Sequence, residues 1–272
     1  MNRKKIYFKA FLFLVIAEIL SIFLVSIVEY FHKLKIIDPI NQIVCLGPAL
    51  TAFLIILLRK KDTLKNLNFN RINIHVLYII LVYLSYEIIL ILVQIILGNM
   101  SININPDNFL TFIYGEKDGF INNIFLAGLL TILFSGFGEE IGWRGYLFNK
   151  LKSLPYFEMT ILLNIIWALW HLPFFLFGGM GHTNVFVSYI LFVVIAMELG
   201  IILNYIRIKT NSVFGAILLH PIPNIILMIV TGFTTVENEF WASHPNIIGI
   251  ILLFPFAFYY YRKGKTLYYE LE

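Results

Sequence analysis

Six residues have the types and spacing that bond-breaking chemistry uses: Glu139, Glu140 and Arg144 in GFGEEIGWRGYLF, His171 in NIIWALWHLPFF, and His220 with Asn224 in LLHPIPNI. Ionisable groups inside apolar runs are costly to bury, so each is a candidate site for acid–base chemistry. In a regular helix Glu140 and Arg144 lie four residues apart on one face, so they should pair. Glu139 points about 140° away from Arg144 and has no cation on its own helix. It is the better catalytic candidate, on the side shared with Gly142 and Trp143, where the missing side chain of Gly142 admits another backbone. The same charged triplet would also serve as a purely structural network near a membrane edge.

The histidines carry the same two readings. Asn164, Trp167 and His171 are spaced to share one helix face, with Pro173 just beyond. A lone histidine there can be a hydrogen-bonded packing residue. The i,i+4 spacing of His220 and Asn224 places imidazole and amide side by side. Pro221 and Pro223 lack backbone donors and deprive the carbonyls of Ile217 and Leu219 of their usual partners. The alternative is a proline kink whose polar neighbours patch the freed backbone. In a membrane, broken helix is tolerated where protein or a wet cavity surrounds it.

The elements that must position these groups are membrane helices. The 272 residues are 60% hydrophobic and 13% charged, more apolar surface than one water-soluble core hides. A span needs roughly 20 mostly apolar residues. About eight such runs are expected, Tyr7–Phe31, Ile40–Leu58, Ile74–Leu97, Phe120–Phe148, Phe157–Phe177, Phe186–Ile208, Val213–Gly232 and Pro245–Tyr261. The fold class is all-α, a polytopic transmembrane bundle, because these long uniform runs lack the alternation of a barrel. The first run exceeds a secretory signal core and has no convincing cleavage site, so it is read as a span. A single transmembrane domain over 1–272 is expected, with a catalytic core at about 120–229. Cys45 is the only cysteine, which excludes an intramolecular disulfide and a cysteine metal cluster.

Charge sets the orientation. With the amino terminus cytoplasmic, the inner segments hold Arg3, Lys4, Lys5, Lys9, Arg59, Lys60, Lys61, Lys65, Arg71, Lys150, Lys152, Arg207, Lys209, Arg262, Lys263 and Lys265, against only Lys33, Lys35 and Lys117 outside. This positive-inside bias predicts a multi-pass protein of the cell membrane with both termini cytoplasmic. The net charge of +4 suits loops facing an anionic leaflet and requires no nucleic-acid partner. The polar stretch Gly98 to Gly119 reads as an irregular extracytoplasmic loop. The fourth and fifth spans should form an antiparallel pair turning near Ser153 to Pro155, which sets Glu139 and His171 at one level, with His220 at a matching depth nearer the cytoplasmic face.

The ordered set Glu139-Glu140-x-x-x-Arg144, His171 and His220-x-x-x-Asn224 resembles the CAAX prenyl protease and bacteriocin-processing family, also called the Abi family, of intramembrane endopeptidases. The resemblance covers roughly Phe120 to Ile229. It implies hydrolysis of a peptide bond in a membrane-associated peptide or protein, within a membrane-embedded cavity lined by these motif residues. Trp167 stands where that family usually has Phe, and Pro221 and Pro223 could misplace Asn224 relative to His220. On this basis Glu139 is expected to be general base, assisted by His171, with His220 and Asn224 donating to the oxyanion and Glu140 and Arg144 bracing the helix.

Other readings remain. The family is often called a metalloprotease, and Glu139, His171 and His220 match the ligand types of a divalent metal such as zinc, although no H-E-x-x-H sequence is present. A membrane transporter would also use buried carboxylates and a broken helix, and a non-catalytic bacteriocin-immunity protein could retain the same residues. The Ile-, Asn- and Lys-rich composition looks like that of an AT-rich bacterium and favours a bacterial peptide or membrane-protein substrate. Glu18, Glu29, Glu87 and Glu198 are weaker intramembrane leads, and His32, His75, His182 and His244 fall at loops or span edges.

Overall fold

The computed structural model describes residues 3–33, 41–59, 64–70, 74–103, 124–177, 184–236 and 246–270. Lys35, Lys60, Lys61, Arg71, Lys117, His182 and His244, most of the polar loop before Gly119, and the expected span edges at Ile40, Phe120 and Pro245 lie outside the described residues, as do the side chains of Glu29 and His32.

The described chain forms the expected helical bundle. We number the helices α1 (Arg3–Lys33), α2 (Gly47–Leu58, entered through a 3-10 turn at Asn41–Leu46), α3 (Ile74–Ile96), α4 (residues 124–151), α5 (Tyr156–Phe177), α6 (Val185–Thr210), α7 (residues 214–233) and α8 (Ile247–Glu270). By length and composition, Arg3–Ile27, Ile74–Ile96, Tyr156–Phe177 and Val185–Thr210 can each cross a membrane; Gln42–Leu58 and Phe214–Val230 are shorter apolar helices. Phe8, Phe11, Ile19 and Phe23 on α1, and Leu77, Leu81, Ile88 and Leu92 on α3, face outward. Large apolar side chains in such rows are stable only against lipid, so this is a multi-pass membrane protein. Helix α6 packs against α3, α4, α5, α7 and α8 and so sits at the centre.

Two features depart from the expected pattern. The polar stretch after α3 is not wholly irregular, because Met100–Ile102 pairs antiparallel with Thr234–Val236 after α7, with Met100 opposite Val236. This ladder satisfies backbone groups where both helices end. The second departure lies in α4, where Ile132–Glu139 and Ile141–Leu147 adopt π-helical turns. Bonds from i to i+5 widen the coil, so the 3.6-residue geometry that set Glu139 and Arg144 about 140° apart does not apply there. Gly136, Gly138, Gly142 and Gly145 lie within this stretch and give the α form little intrinsic advantage.

Gly142 has the close neighbour expected of it. A Cβ at that position would lie 2.5 Å from the Pro48 Cβ and 2.6 Å from its carbonyl carbon, so the chain at the start of α2 rests directly on α4. Gly142→Leu is expected to cost about 1–3 kcal/mol in a detergent-based unfolding titration. Gly128→Leu is the control, with nothing within 4 Å of a Cβ there; it should shift stability by less than about 0.5 kcal/mol.

Candidate active site

Arg144 organises the interior. It is fully buried, and its Nη1 donates to Glu140 Oε1 at 2.9 Å, the pairing that the i,i+4 spacing predicts. Its Nη2 donates to Asn164 Oδ1 of α5 at 3.2 Å and its Nε to Asn204 Oδ1 of α6 at 3.3 Å. The guanidinium carbon sits 4.7 Å from the Trp167 ring centre. A planar group with five donors can tie three helices together in this way, whereas a lysine ammonium could not match the fork. The main chain of Arg144 is held too, its carbonyl accepting from Arg207 Nε at 2.9 Å. Arg207 is therefore not one of the loop cations of the charge pattern: it is 2% exposed and stacks 5.0 Å from the Phe148 ring centre.

Glu140 joins this cation to the first imidazole. His220 Nδ1 donates to Glu140 Oε1 at 2.6 Å, which turns Nε2 toward Glu139 Oε2, 3.9 Å away. Trp167 Nε1 donates to that same Glu139 oxygen at 2.7 Å. His171 Nδ1 lies 2.9 Å from the Trp167 carbonyl, which can only accept, so this nitrogen carries the proton and Nε2 keeps its lone pair in the neutral ring. The Trp167 ring is 5.7 Å from that of His171 and 5.1 Å from that of His220. One indole thus touches both imidazoles and binds the carboxylate between them. The Cys45 thiol also faces Glu139. Glu139, His171 and His220 are all buried.

Both histidines occupy interruptions. The regular part of α5 ends at Trp170 and resumes at Leu172, with Pro173 following. Helix α7 stops at Leu219 and restarts at Pro221. The carbonyl of Ile217, deprived of a donor by Pro221, lies against Gly136, where an added Cβ would be 2.6 Å from the oxygen. The freed backbone is therefore enclosed by protein, as a broken helix in lipid requires.

Asn224 stands apart from this cluster. Its amide nitrogen donates to Ser135 Oγ at 3.1 Å, and the residue is exposed at the surface of the bundle. The expected side-by-side pairing with His220 is replaced by this bond, His220 being bonded to Glu140 instead. Ser135 precedes Glu139 by four residues on α4, so the amide still borders the site.

Sequence reasoning identified Glu139, Glu140, Arg144, His171 and His220, which the fold brings together, and the face shared by Asn164 and Trp167. It missed Asn204, Arg207, Ser135 and Cys45. A buried asparagine and arginine three residues apart inside an apolar run, Asn204 and Arg207, was the available signal. Glu87 and Glu198 are buried beside Tyr83 and Tyr86, a separate cluster on α3 and α6. As for a metal, the described residues contain no group of three His, Cys, Asp or Glu side chains placed to share an ion.

Comparison with known proteins falls on this same region. Residues 121–226 match the family model described as type II CAAX prenyl endopeptidase Rce1-like. This segment is similar to that family. A curated protein named CAAX prenyl protease 2, from Methanococcus maripaludis, is 32% identical over 107 residues, an alignment that covers 37% of this chain and 40% of the relative. The chain thus spans less than half the length of the curated relative it matches. The Rce1-like segment holds all six motif residues, in agreement with the resemblance drawn from their order, while α1, α2, α3 and α8 lie outside it.

The buried pair makes a testable demand on stability. Arg144→Met leaves Glu140 without its cation and is expected to cost about 3–5 kcal/mol in equilibrium unfolding. Adding Glu140→Gln should recover a large part of that loss, and a strictly additive double variant would contradict the coupling.

Proposed function

We propose that the chain is an intramembrane endopeptidase that hydrolyses a peptide bond in a membrane-associated peptide or protein. One observation carries the reading: in the buried interior, the Trp167 indole donates to the Glu139 carboxylate and touches the imidazoles of His171 and His220, with His220 Nε2 3.9 Å from that carboxylate. The Rce1-like match over the same residues supports it.

In this proposal Glu139 takes a proton from a water molecule, and the water oxygen attacks the carbonyl carbon of the scissile bond. The free Nε2 of His171 offers a second basic nitrogen for that proton. The resulting oxyanion accepts a hydrogen bond from His220 Nε2, which can donate when the ring is an imidazolium with Nδ1 held on Glu140. Asn224 supplies the remaining N–H of its amide, the other being held by Ser135. The proton collected from water passes to the leaving nitrogen, and the C–N bond breaks. Glu140 and Arg144 act by holding His220 and α4 in place.

The paired interruptions of α5 and α7 favour one second reading, since a transporter site is also built from discontinuous helices. Ion flux through reconstituted vesicles, with no cleavage of peptide, would establish it in place of the hydrolase.

The direct test uses a farnesylated peptide ending in a CAAX sequence, together with a panel of bacterial membrane peptides, and the full-length protein. Glu139→Gln should lower kcat by about 10²–10⁴-fold while the protein still unfolds at the wild-type position. Near-normal cleavage by that variant would refute the base assignment. Stringent chelation should leave the wild-type rate within about twofold; a loss restored by added zinc would instead establish metal dependence.

A further inference from the structure

Helix α8 lies outside the Rce1-like segment and takes no part in the chemistry, yet one of its faces is built in two halves. Ile251, Phe254 and Phe258 recur at helical spacing and are exposed, with the last two rings stacked at 6.1 Å. The same face continues into Arg262 and Lys265, one and two turns further on, both exposed. There a groove of about 580 Å³ opens, lined by Phe258, Tyr261, Arg262, Lys265, Thr266 and Tyr269, with no carboxylate among its walls.

The far end of the helix is anchored at the turn between α4 and α5. Tyr268 donates to the carbonyls of Lys152 and Leu154, and the Tyr156 backbone donates to Tyr269 Oη at 3.2 Å. The groove is therefore fixed at the end of the bundle that holds Lys150 and Lys152, the end that the charge pattern assigns to the headgroup layer. On the neighbouring flank of α8, Lys209, Lys263 and Glu270 line a second hollow of about 390 Å³. Tyrosines at such a boundary hold a helix at the headgroup layer. A phosphate ester is an anion that a guanidinium and an ammonium one turn apart receive, and clustered basic residues beside an apolar helix attract anionic headgroups.

We propose that this groove binds an anionic phospholipid, its phosphate on Arg262 and Lys265 and an acyl chain along Phe258, Phe254 and Ile251. Charge complementarity selects the headgroup, and the exposed aromatic track selects a lipid over a soluble phosphate. The site is independent of the hydrolytic reading and stands or falls separately from it.

Native mass spectrometry of the full-length protein, titrated with phosphatidylglycerol or phosphatidylcholine in detergent, tests the proposal. The wild type should hold phosphatidylglycerol at least about tenfold more tightly than phosphatidylcholine. Arg262→Gln with Lys265→Gln should abolish the preference, and Phe258→Asn should weaken retention of the lipid without changing the charge. Lys5→Gln with Lys65→Gln removes the same charge from elsewhere on the basic side and should leave the preference intact. An equal loss in that control, the absence of any headgroup preference, or displacement of the lipid by millimolar inorganic phosphate would overturn the assignment.

Discussion

The buried pair of Glu140 and Arg144 is the constraint from which the rest of the interior follows. Removing two charges from water is costly, and attraction between them offsets the cost only when the remaining donors and acceptors are satisfied. Arg144 meets that condition by drawing Asn164 from α5 and Asn204 from α6 onto its guanidinium. Glu140 meets part of it by accepting from His220 Nδ1 on α7, while its other oxygen has no hydrogen-bond partner among the described residues. Satisfying one ion pair therefore requires four helices to converge at one depth. The convergence places Glu139, the neighbouring carboxylate, against the indole of α5 and the second nitrogen of His220.

Two adjacent glutamates thus have different work. Glu140 is bound by a permanent cation and serves as an anchor, whereas Glu139 has the Trp167 indole and the His220 imidazole as its neighbours. The irregular backbone lies at the same points. Glu139 closes one π-helical stretch, and His171 and His220 each sit in an interruption followed by proline. Helix defects are expensive in lipid unless protein encloses them, and they re-aim side chains that a continuous helix would direct elsewhere. Trp167 joins the three by touching both rings and donating to the carboxylate. The indole does what a phenylalanine at that position could not, because only the indole carries a donor.

Much of this was legible in the sequence. Eight apolar runs marked the helices, and the i,i+4 spacing of Glu140 and Arg144 specified their pairing. The hairpin between α4 and α5 set Glu139 opposite the Trp167 and His171 face. The π-helical course of α4 was not legible, since its i to i+5 bonds depend on how α2 and α7 press on a glycine-rich stretch. Nor could spacing place Asn224, whose amide is bonded to Ser135 while His220 is bonded to Glu140. Arg207 looked like a loop cation because it lies near Lys209, and only the approach of the Arg144 carbonyl explains its burial. The short ladder between Met100–Ile102 and Thr234–Val236 joins segments far apart in sequence, which no local pattern reveals.

The chemistry attributed to Glu139 distinguishes water attack from attack by the carboxylate itself. The most direct measurement is a single turnover in water enriched in oxygen-18, followed by mass analysis of both the new carboxyl terminus and the peptide containing Glu139. A general base predicts one labelled oxygen in the product and none in the enzyme. An unlabelled product, with the label appearing in the Glu139 side chain when the intermediate is hydrolysed, would show a covalent acyl-enzyme and contradict the account.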